Sequence, residues 1–457
     1  MGFFLYKSTK KSACFVDFWK MVMLIFLCDG KNPQGGKRMK KKLLSLALVA
    51  AMAVSMFVGC GSTQKDDSFK VGVILVGDAT ESYTLAHMEG IKAAAKKVGI
   101  SENDILWKEK IEETEECYNS AKALVAQGCK LVISNSYGHQ DFMAQAAEEY
   151  KDVNFVAMTG DYAAISGLDN FYNAFTGVYE SRYVSGVVAG MKVAELVKDN
   201  KIPETGFDKD GNIKIGYVGA FPYAEVKSGY TAFFLGIQSV VPNVAMQVQY
   251  TSSWFDIEKE AAAADTLIKN GCVIIGQHAD STGAPDKVQS YYDNGTVVYS
   301  VGYNVDMLST APKAALTSAT NVWEVYYEKL FSAALKGEKL PQDLALGYAD
   351  GGVAITALGP DVAEGTTEKV AEIEAALREG KLHVFDTSKF TVDGKHLDSY
   401  KKDLSYMDFS TMTVVYKGEE VETIKKDGDV SYFDESAFRA APYFDLVIDG
   451  ITELNAN

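Results

Sequence analysis

The chain has 457 residues, of which 45 are basic and 61 acidic, and its formal net charge at pH 7 is −16. No cluster of lysine and arginine follows Lys42, which argues against nucleic acid as a partner because a polyanion needs clustered cations to displace its counterions. The cysteines lack the spacing and the neighbouring histidines of a zinc site, and they form no disulfide framework. We interpret Cys117, Cys129 and Cys272 as small buried hydrophobic residues.

The N-terminal region contains the pattern of a bacterial export signal. Met39 is followed by three lysines and an apolar run from Leu43 to Val58, which is shorter than the roughly 20 residues of a membrane-spanning helix. The run ends in the letters FVGC, which resemble a lipobox, where the cysteine is lipidated and becomes the mature N-terminus. An uncleaved anchor or a buried structural cysteine is the alternative. We expect residues 1–38 not to be native, residues 39–59 to be a lipoprotein signal peptide, Cys60 to be lipidated and residues 60–68 to be a linker.

Downstream of Lys70 the sequence alternates between short apolar strands and amphipathic helices. The first series runs KVGVILVG, ESYTLAHMEGIKAAAKKVG, DILWKEKI, TEECYNSAKALVAQG, CKLVISNS, QDFMAQAAEEY and VNFVAMTG, with Gly99 predicted to end the first helix. After the turn-rich loop KIPETGFDKDGN a second series runs from IKIGYVGAF to VVYSVGYN. This alternation predicts parallel sheets covered by helices on both faces. Because about 390 residues exceed what one core holds, we expect two doubly wound lobes.

The loops after the predicted strands share one composition. They read GDATESYT, NSYGHQD and TGDY in the first series, and AFPYAE, TSSWFD, GQHADSTG and GYNVDM in the second. Ligands of doubly wound sheets bind beyond the carboxyl ends of the strands, so these loops form the candidate site. Nearly every loop combines an aromatic residue with a hydroxyl, amide or carboxylate, which favours a flat, hydrogen-bonding ligand. For any single aromatic residue, a place in the core is an equally good interpretation.

Several longer segments resemble the basic membrane protein family. The resemblance rests on VGVILVGDATESYTLAHMEGIKAAAKKVGI, YGHQDFMAQAAEEYKDVNFVAMTG, YESRYVSGVVAGMK and YVGAFPYAEVKSGYTAFFLGIQSVVPN, and it extends from about Lys70 to about Phe385. Members of this family are lipid-anchored substrate-binding proteins of ABC importers for purine nucleosides and related bases.

The resemblance implies an α/β structure with the type I periplasmic-binding-protein fold. In this fold two doubly wound parallel-sheet lobes are joined by a hinge of three crossings, and the clamp closes around its ligand by hinge motion. The expected domains are residues 69–175 with 319–346 for lobe 1, residues 176–318 with 347–383 for lobe 2, and a strand-rich C-terminal extension of unknown purpose at 384–457.

The resemblance also implies ligand contacts. Ser82 matches a serine of the family's first loop, and Tyr83 takes the place of the phenylalanine that stacks on the purine, whereas threonines replace the Asp and Asn of that loop. Asn304 stands where the family has a ribose-binding aspartate, so the resemblance favours a free base over its nucleoside as the ligand. Asp306 is the alternative source of a carboxylate for the ribose. The other candidates are Asp141, where a family aspartate falls, Phe221 and Trp254, where aromatic residues border the ligand, and the loop residues Tyr137, Gln277 and Asp280.

An enzyme and a receptor place different demands on these residues. A hydrolase that splits the glycosidic bond needs a metal-bound water or a carboxylate pair, which Asp280 and Asp306 could in principle supply. The sequence has neither a nucleophile elbow nor a phosphate-binding glycine loop, and we interpret His278 as a loop histidine bonded to the backbone. We therefore expect a binding protein without a cofactor or metal, which captures a purine base or nucleoside and delivers it to an ABC permease. It would act outside the cytoplasm, tethered to the bacterial membrane by Cys60. A sensor receptor is the alternative, and a nucleoside hydrolase is less favoured.

Overall fold

The computed structural model describes residues 68–408 and 411–456. The predictions for residues 1–67, which include the signal peptide and the lipidated Cys60, lie outside the described residues. Within the described ranges no helix is both long enough and apolar enough to span a bilayer. Cys117, Cys129 and Cys272 are buried, which confirms the interpretation from the sequence.

The first series of elements alternates strand and helix as the sequence predicts. Its elements are β1 (Lys70–Ile74), α1 (Ser82–Val98), β2 (Ile105–Lys108), α2 (Glu115–Ala126), β3 (Cys129–Ser134), α3 (Gln140–Glu149), β4 (Asn154–Met158) and β5 (Phe171–Thr176). Gly99 ends α1 in a left-handed conformation with φ of 84°, and its N–H bonds back to the carbonyl of Ala95. Four consecutive residues of β4 are buried, as expected for a strand covered on both faces.

The second series begins with a long helix. Its elements are α4 (Val178–Lys198), β6 (Ile213–Gly219), α5 (Ala224–Gln238), β7 (Val244–Tyr250), α6 (Ile257–Lys269), β8 (Ile274–Gln277), α7 (Gly283–Asp293), β9 (Tyr299–Tyr303) and β10 (Ala315–Asn321). Helices α4 and α5 approach closely at two glycines: a Cβ on Gly186 would lie 2.2 Å from the carbonyl oxygen of Phe233, and one on Gly236 would lie 2.2 Å from that of Tyr183. Only glycine fits at this helix contact.

The strands form two sheets that the chain visits in turn. The remaining elements of the two lobes are α8 (Trp323–Lys336), β11 (Asp343–Leu346), β12 (Val353–Ile355) and α9 (Thr366–Arg378). Lobe 1 is the sheet β11-β5-β4-β3-β1-β2 with α1, α2, α3 and α8. Lobe 2 is the sheet β12-β10-β9-β8-β6-β7, in which only β12 is antiparallel, with α4 to α7 and α9. The chain passes between the sheets after β5, β10 and β11, and these three crossings confirm the type I fold.

Helix α8 fixes α1 in lobe 1. The ring of His87 stacks on Trp323 with centroids 3.9 Å apart, and its Nδ1 is hydrogen-bonded to the hydroxyl of Tyr327 at 2.5 Å. A Cβ on Gly90 would lie 2.6 Å from the Cβ of Trp323, so the two helices are in close contact. The first turn of α1 is therefore held firmly at the carboxyl edge of the sheet.

Residues 384–456 form a C-terminal extension of short strands. They are β13 (Lys401–Asp403), β14 (Tyr406–Asp408), β15 (Thr413–Tyr416), β16 (Glu420–Glu422), β17 (Ile424–Asp427), β18 (Val430–Phe433) and β19 (Ile451–Glu453). β13 pairs with β16, β14 with β15 and β17 with β18, all antiparallel. β19 instead runs parallel to β7 and adds a seventh strand to the sheet of lobe 2.

Candidate functional site

Four strand ends of the two lobes have strained backbone. Lys110 lies two residues beyond β2, Thr159 follows β4, Ser252 lies two residues beyond β7 and Asn304 follows β9, with φ angles of 57°, 65°, 54° and 64°. Residues other than glycine seldom adopt positive φ, and a β-branched residue such as Thr159 does so least readily. Such strain is retained at functional sites, so these loops, which lie at the carboxyl ends of the strands, mark the candidate site.

Tyr83 is the aromatic residue of this site in lobe 1. It lies next to Ser82 in the first turn of α1, and its hydroxyl donates to the carbonyl oxygen of Asn135 just beyond β3. The ring meets His87 edge-on with centroids 4.5 Å apart. Burial is the main cause that raises the pKa of Tyr83 well above its usual value, and Tyr327 of lobe 1 and Glu225 of lobe 2 raise it further.

Lobe 2 presents a group of aromatic rings at its own strand ends. The Trp254 ring lies 5.7 Å from Phe221 and 6.4 Å from Tyr223, and Phe221 and Tyr223 are stacked with centroids 5.1 Å apart. Trp254 also lies 6.4 Å from the His278 ring, and its carbonyl accepts a 2.7 Å hydrogen bond from Asp280 N. The loops after β6, β7 and β8 therefore form one surface. Tyr223 was not among the residues predicted from the sequence.

Asp280 and Asn304 form a buried polar pair. Asn304 Nδ2 donates to Asp280 Oδ1 at 2.6 Å, and Asn304 Oδ1 accepts from Asn321 Nδ2 at 3.3 Å. Both heavy atoms of the Asn304 amide are thus engaged within lobe 2, and the positive φ of this residue suits asparagine. The carboxyl group that is hydrogen-bonded to the Asn304 side chain therefore belongs to Asp280.

The surroundings of Asp280 favour its neutral form. Burial is the main cause that raises its pKa well above the usual value, and Arg182 acts in the opposite direction. Three further carboxyls raise the pKa of Asp280, and they are Glu81 of lobe 1 and Glu225 and Glu260 of lobe 2. Glu81 lies immediately before α1, so a carboxyl of lobe 1 contributes to the shift of this lobe 2 pKa.

Arg182, which sequence reasoning missed, lies beneath these loops. It projects from α4, is 1% exposed, donates from Nη1 to the carbonyl of Gln277 at 2.5 Å, and stacks on the Tyr303 ring at 3.8 Å. Its Nε and Nη2 have no hydrogen-bond partner within the described residues. Burial and then Arg182 lower the pKa of His278 to about 4, so this imidazole is neutral at pH 7. His278 Nε2 lies 3.4 Å from Glu225 Oε1, a side-chain contact rather than the backbone bond predicted from the sequence.

Gln277 and Asp306 bond to their own loops. Gln277 Nε2 donates to the carbonyls of Ala279 and Ser281, both at 2.7 Å. The exposed Asp306 accepts a 2.7 Å hydrogen bond from Leu308 N. Asp306 therefore stabilises a turn, and the structure gives it no hydrogen bond to Asn304.

Two lobe 1 candidates lie beside the C-terminal extension. Asp141, in the first turn of α3, accepts a 3.0 Å hydrogen bond from the Tyr406 hydroxyl. The Tyr137 hydroxyl donates to Asp161 Oδ2 at 3.2 Å, and the same carboxylate lies 3.4 Å from the Arg439 guanidinium. Neither contact could be predicted from the sequence, because Tyr406 and Arg439 lie more than 250 residues downstream of the aspartates that they contact.

The residues of the candidate site are suited to binding a ligand. Aromatic rings from both lobes surround hydrogen-bonding groups that are buried and already oriented by their neighbours, which suits a flat heterocycle. Within residues 68–408 and 411–456, no group of three or more His, Cys, Asp or Glu side chains could hold a metal ion.

Comparison with known proteins assigns the family. The model of the Bmp family, described as ABC transporter substrate-binding protein PnrA-like, matches residues 69–383. The chain belongs to this family. PnrA-like proteins are solute-binding proteins of ABC transporters that act outside the cytoplasm and work with a permease, so this family member is a binding protein and not an enzyme.

Three known proteins are similar to this PnrA-like chain. A purine-binding protein of Brucella abortus is 31% identical over 341 residues, which are 74% of this chain and 89% of the relative. A putative ABC transporter glucose-binding protein of Haloferax volcanii is 30% identical over 266 residues, 58% of this chain and 61% of the relative. The solved solute-binding protein of an ABC transporter system from Conexibacter woesei is 18% identical, with a TM-score of 0.55 over 69% of this chain and 98% of that one, and it shows the shared fold.

Proposed function

We propose that this protein captures a purine base or nucleoside between its two lobes and delivers it to the permease of an ABC importer. The observation that supports this most directly is the presence of aromatic rings at the strand ends of both lobes: Tyr83 in the first turn of α1, and Phe221 with Trp254 at 5.7 Å in lobe 2. Rings on opposite lobes can sandwich a flat base when the clamp closes. The similarity to a purine-binding protein supports the same ligand class.

The polar groups provide the edge contacts of the proposed complex. Burial favours the neutral form of Asp280, and in that form the carboxyl can donate its proton to a ring nitrogen while Oδ1 stays bonded to Asn304. Asn304 is already bonded to Asp280 and Asn321, and its neutral oxygen is a weaker acceptor for sugar hydroxyls than an ionised carboxylate. The protein should therefore gain little affinity from a ribose.

A ligand panel tests this function. Native mass spectrometry of the purified mature protein should reveal a co-purified purine, and calorimetry should then compare adenine, adenosine, hypoxanthine, inosine, guanine and guanosine with glucose. We expect each free base to bind at least as tightly as its nucleoside. Binding of glucose alone, or a bound mass that matches no purine, would refute the proposal.

We also propose that lipidated Cys60 holds the protein at the membrane. The lysine cluster, the apolar run and the FVGC stretch support this anchor. Stable attachment requires about two acyl chains, which a lipoprotein N-terminus provides. The expected result of Cys60→Ser is release from the membrane fraction into the soluble one, measured by fractionation and immunoblotting. Cys117→Ser, which changes a buried cysteine elsewhere, serves as the control and should leave the distribution unchanged. A Cys60→Ser variant that stays with the membrane would contradict the anchor.

A further inference from the structure

The C-terminal extension lies beyond residues 69–383, the part of the chain that the family model matches. It nevertheless makes specific contacts with both lobes. The site described above explains neither its length nor these contacts.

The attachment to lobe 2 is extensive. β19 pairs with β7 over three residues, and Asn455 exchanges two hydrogen bonds with the backbone of Tyr250 at 2.8 and 2.9 Å. Glu453 Oε1 accepts from the hydroxyls of Tyr230 and Tyr250 and lies 3.6 Å from Lys227 Nζ. Several aromatic residues of the extension also belong to the lobe 2 core, namely Phe385, Phe390, Phe433, Tyr443 and Phe444.

The attachment to lobe 1 uses two separate patches. In the first, the Tyr162 ring is stacked on Tyr406 at 4.3 Å and on Tyr416 at 4.5 Å, and the Tyr406 hydroxyl bonds to Asp141. In the second, Arg439 pairs with Asp161, and both side chains are less than 15% exposed.

The second patch continues along the edge of the lobe 1 sheet. Ala440 N donates to Asp343 Oδ2 of β11 at 3.0 Å, and Ala440 and Ala441 pack on Phe175 of β5. Each patch is a defined set of contacts that a hinge motion would have to keep or break.

We infer that the C-terminal extension is an interlobe strap, and that Arg439 is a positioning residue for the loop after β4. Asp161 lies three residues beyond the end of β4 and accepts from Tyr137 and from Gln140 Nε2 while it pairs with Arg439. Loss of the guanidinium leaves a mostly buried carboxylate without its cation. The loop after β4, which contains Thr159, then loses the contact that ties it to the C-terminal extension.

The strap also bears on the balance between open and closed lobes. It is bonded to lobe 1 and to lobe 2 at the same time, so it restricts how far the two lobes can separate. A strap that restricts this separation favours the closed arrangement. Weakening its hold on lobe 1 lowers the closed fraction, and the apparent affinity of a ligand that needs the closed state falls by the same factor.

Hydrogen exchange on the ligand-free mature protein tests the strap without reference to any ligand. In Arg439→Gln we expect amide exchange in residues 159–165 to rise about tenfold or more, as expected for local opening, while β7 and β19 keep their protection. Tyr406→Phe retains the ring stacked on Tyr162 and should raise exchange in β14 and β15. Arg439→Lys should restore part of the protection of residues 159–165, since it keeps the charge.

The C-terminal extension also provides a control variant. Lys401→Gln removes an exposed ion pair with Glu420 inside the extension and should leave all of these rates unchanged. Unchanged exchange in both Arg439→Gln and Tyr406→Phe would overturn the inference, as would an equal rise in Lys401→Gln. If Arg439→Gln does not fold, Tyr406→Phe decides alone. A titration with adenine adds a second readout, in which the supporting result is a loss of affinity of about threefold or more in Arg439→Gln.

Discussion

Replacing Asn304 by aspartate is expected to weaken purine binding about 10- to 100-fold at pH 7.5, with the loss shrinking at pH 5. The substitution places two carboxyls about 2.6 Å apart, where both cannot ionise, and it removes the amide that donates to Asp280. An unmet buried hydrogen bond costs about 1–3 kcal/mol, and more when charge is involved, which is roughly one decade or more in affinity. Calorimetry at the two pH values measures the effect. The resemblance to the family places Asn304 where a ribose-binding aspartate is expected, and in the structure its amide is bonded to Asp280 and Asn321.

The sign of the pH dependence follows from the raised pKa of Asp280. A carboxyl whose pKa is raised in the folded protein binds its proton more tightly there than in the unfolded chain. Its contribution to stability is therefore present below the ordinary carboxyl pKa and is lost as the pH rises toward the raised value. The pair created by Asn304→Asp should show the same trend more strongly, seen as a melting temperature that falls between pH 5 and pH 7.5.

An exchanged pair provides the matched control. The double variant Asn304→Asp with Asp280→Asn again has one amide and one carboxyl at these positions, so it should recover most of the melting temperature. Asp306→Asn should change neither stability nor affinity, because Asp306 is exposed and the amide oxygen of asparagine can accept the same hydrogen bond from Leu308 N. An Asn304→Asp variant that binds purines as tightly as the parent protein, with the same affinity at both pH values, would show that the Asp280–Asn304 pair does not shape the site.

Removal of the aromatic ring of Tyr83 or of Trp254 should weaken purine binding about tenfold or more. Stacking of a base on an aromatic ring contributes about 1–3 kcal/mol by alanine substitution, and 1.4 kcal/mol corresponds to a factor of about ten. Tyr83→Ala and Trp254→Ala test the two lobes separately by calorimetry. Tyr83→Phe keeps the ring and loses only the hydrogen bond to Asn135, so its loss should be smaller.

Tyr118→Ala is a suitable control for the ring variants. Tyr118 lies on α2, where its hydroxyl bonds to Glu149, and it is not part of the strand-end loops. Its affinity for purines should equal that of the parent protein. Unchanged titrations for both Tyr83→Ala and Trp254→Ala would return these rings to a purely structural role.

The regular part of the fold could be predicted because its signals are local. The apolar run of β4 and the glycine after α1 are each readable within a few residues, and alternation of such segments is enough to imply two doubly wound sheets. The rule that ligands bind beyond the carboxyl ends of the strands then indicates the loops that contain Tyr83, Trp254 and Asp280.

The pairing of groups within the site could not be predicted, because it depends on contacts distant in sequence. Arg182 lies in a helix whose sequence is typical of the core, and its proximity to Gln277 and Tyr303 arises only when α4 packs against the sheet of lobe 2. The preference for Asp280 over Asp306 as the partner of Asn304 likewise rests on how two neighbouring strands end.

The short strand β19 has a consequence for how the chain avoids self-association. Without it, β7 would be the outermost strand of its sheet, with a row of unpaired N–H and C=O groups that can recruit the same strand from another molecule. β7 and β19 lie about 200 residues apart, so that edge stays open until a distant part of the polypeptide has folded back, and contacts of such large separation form slowly. A species truncated before Gly450, or one still folding after export, is therefore the form of this protein most prone to aggregate.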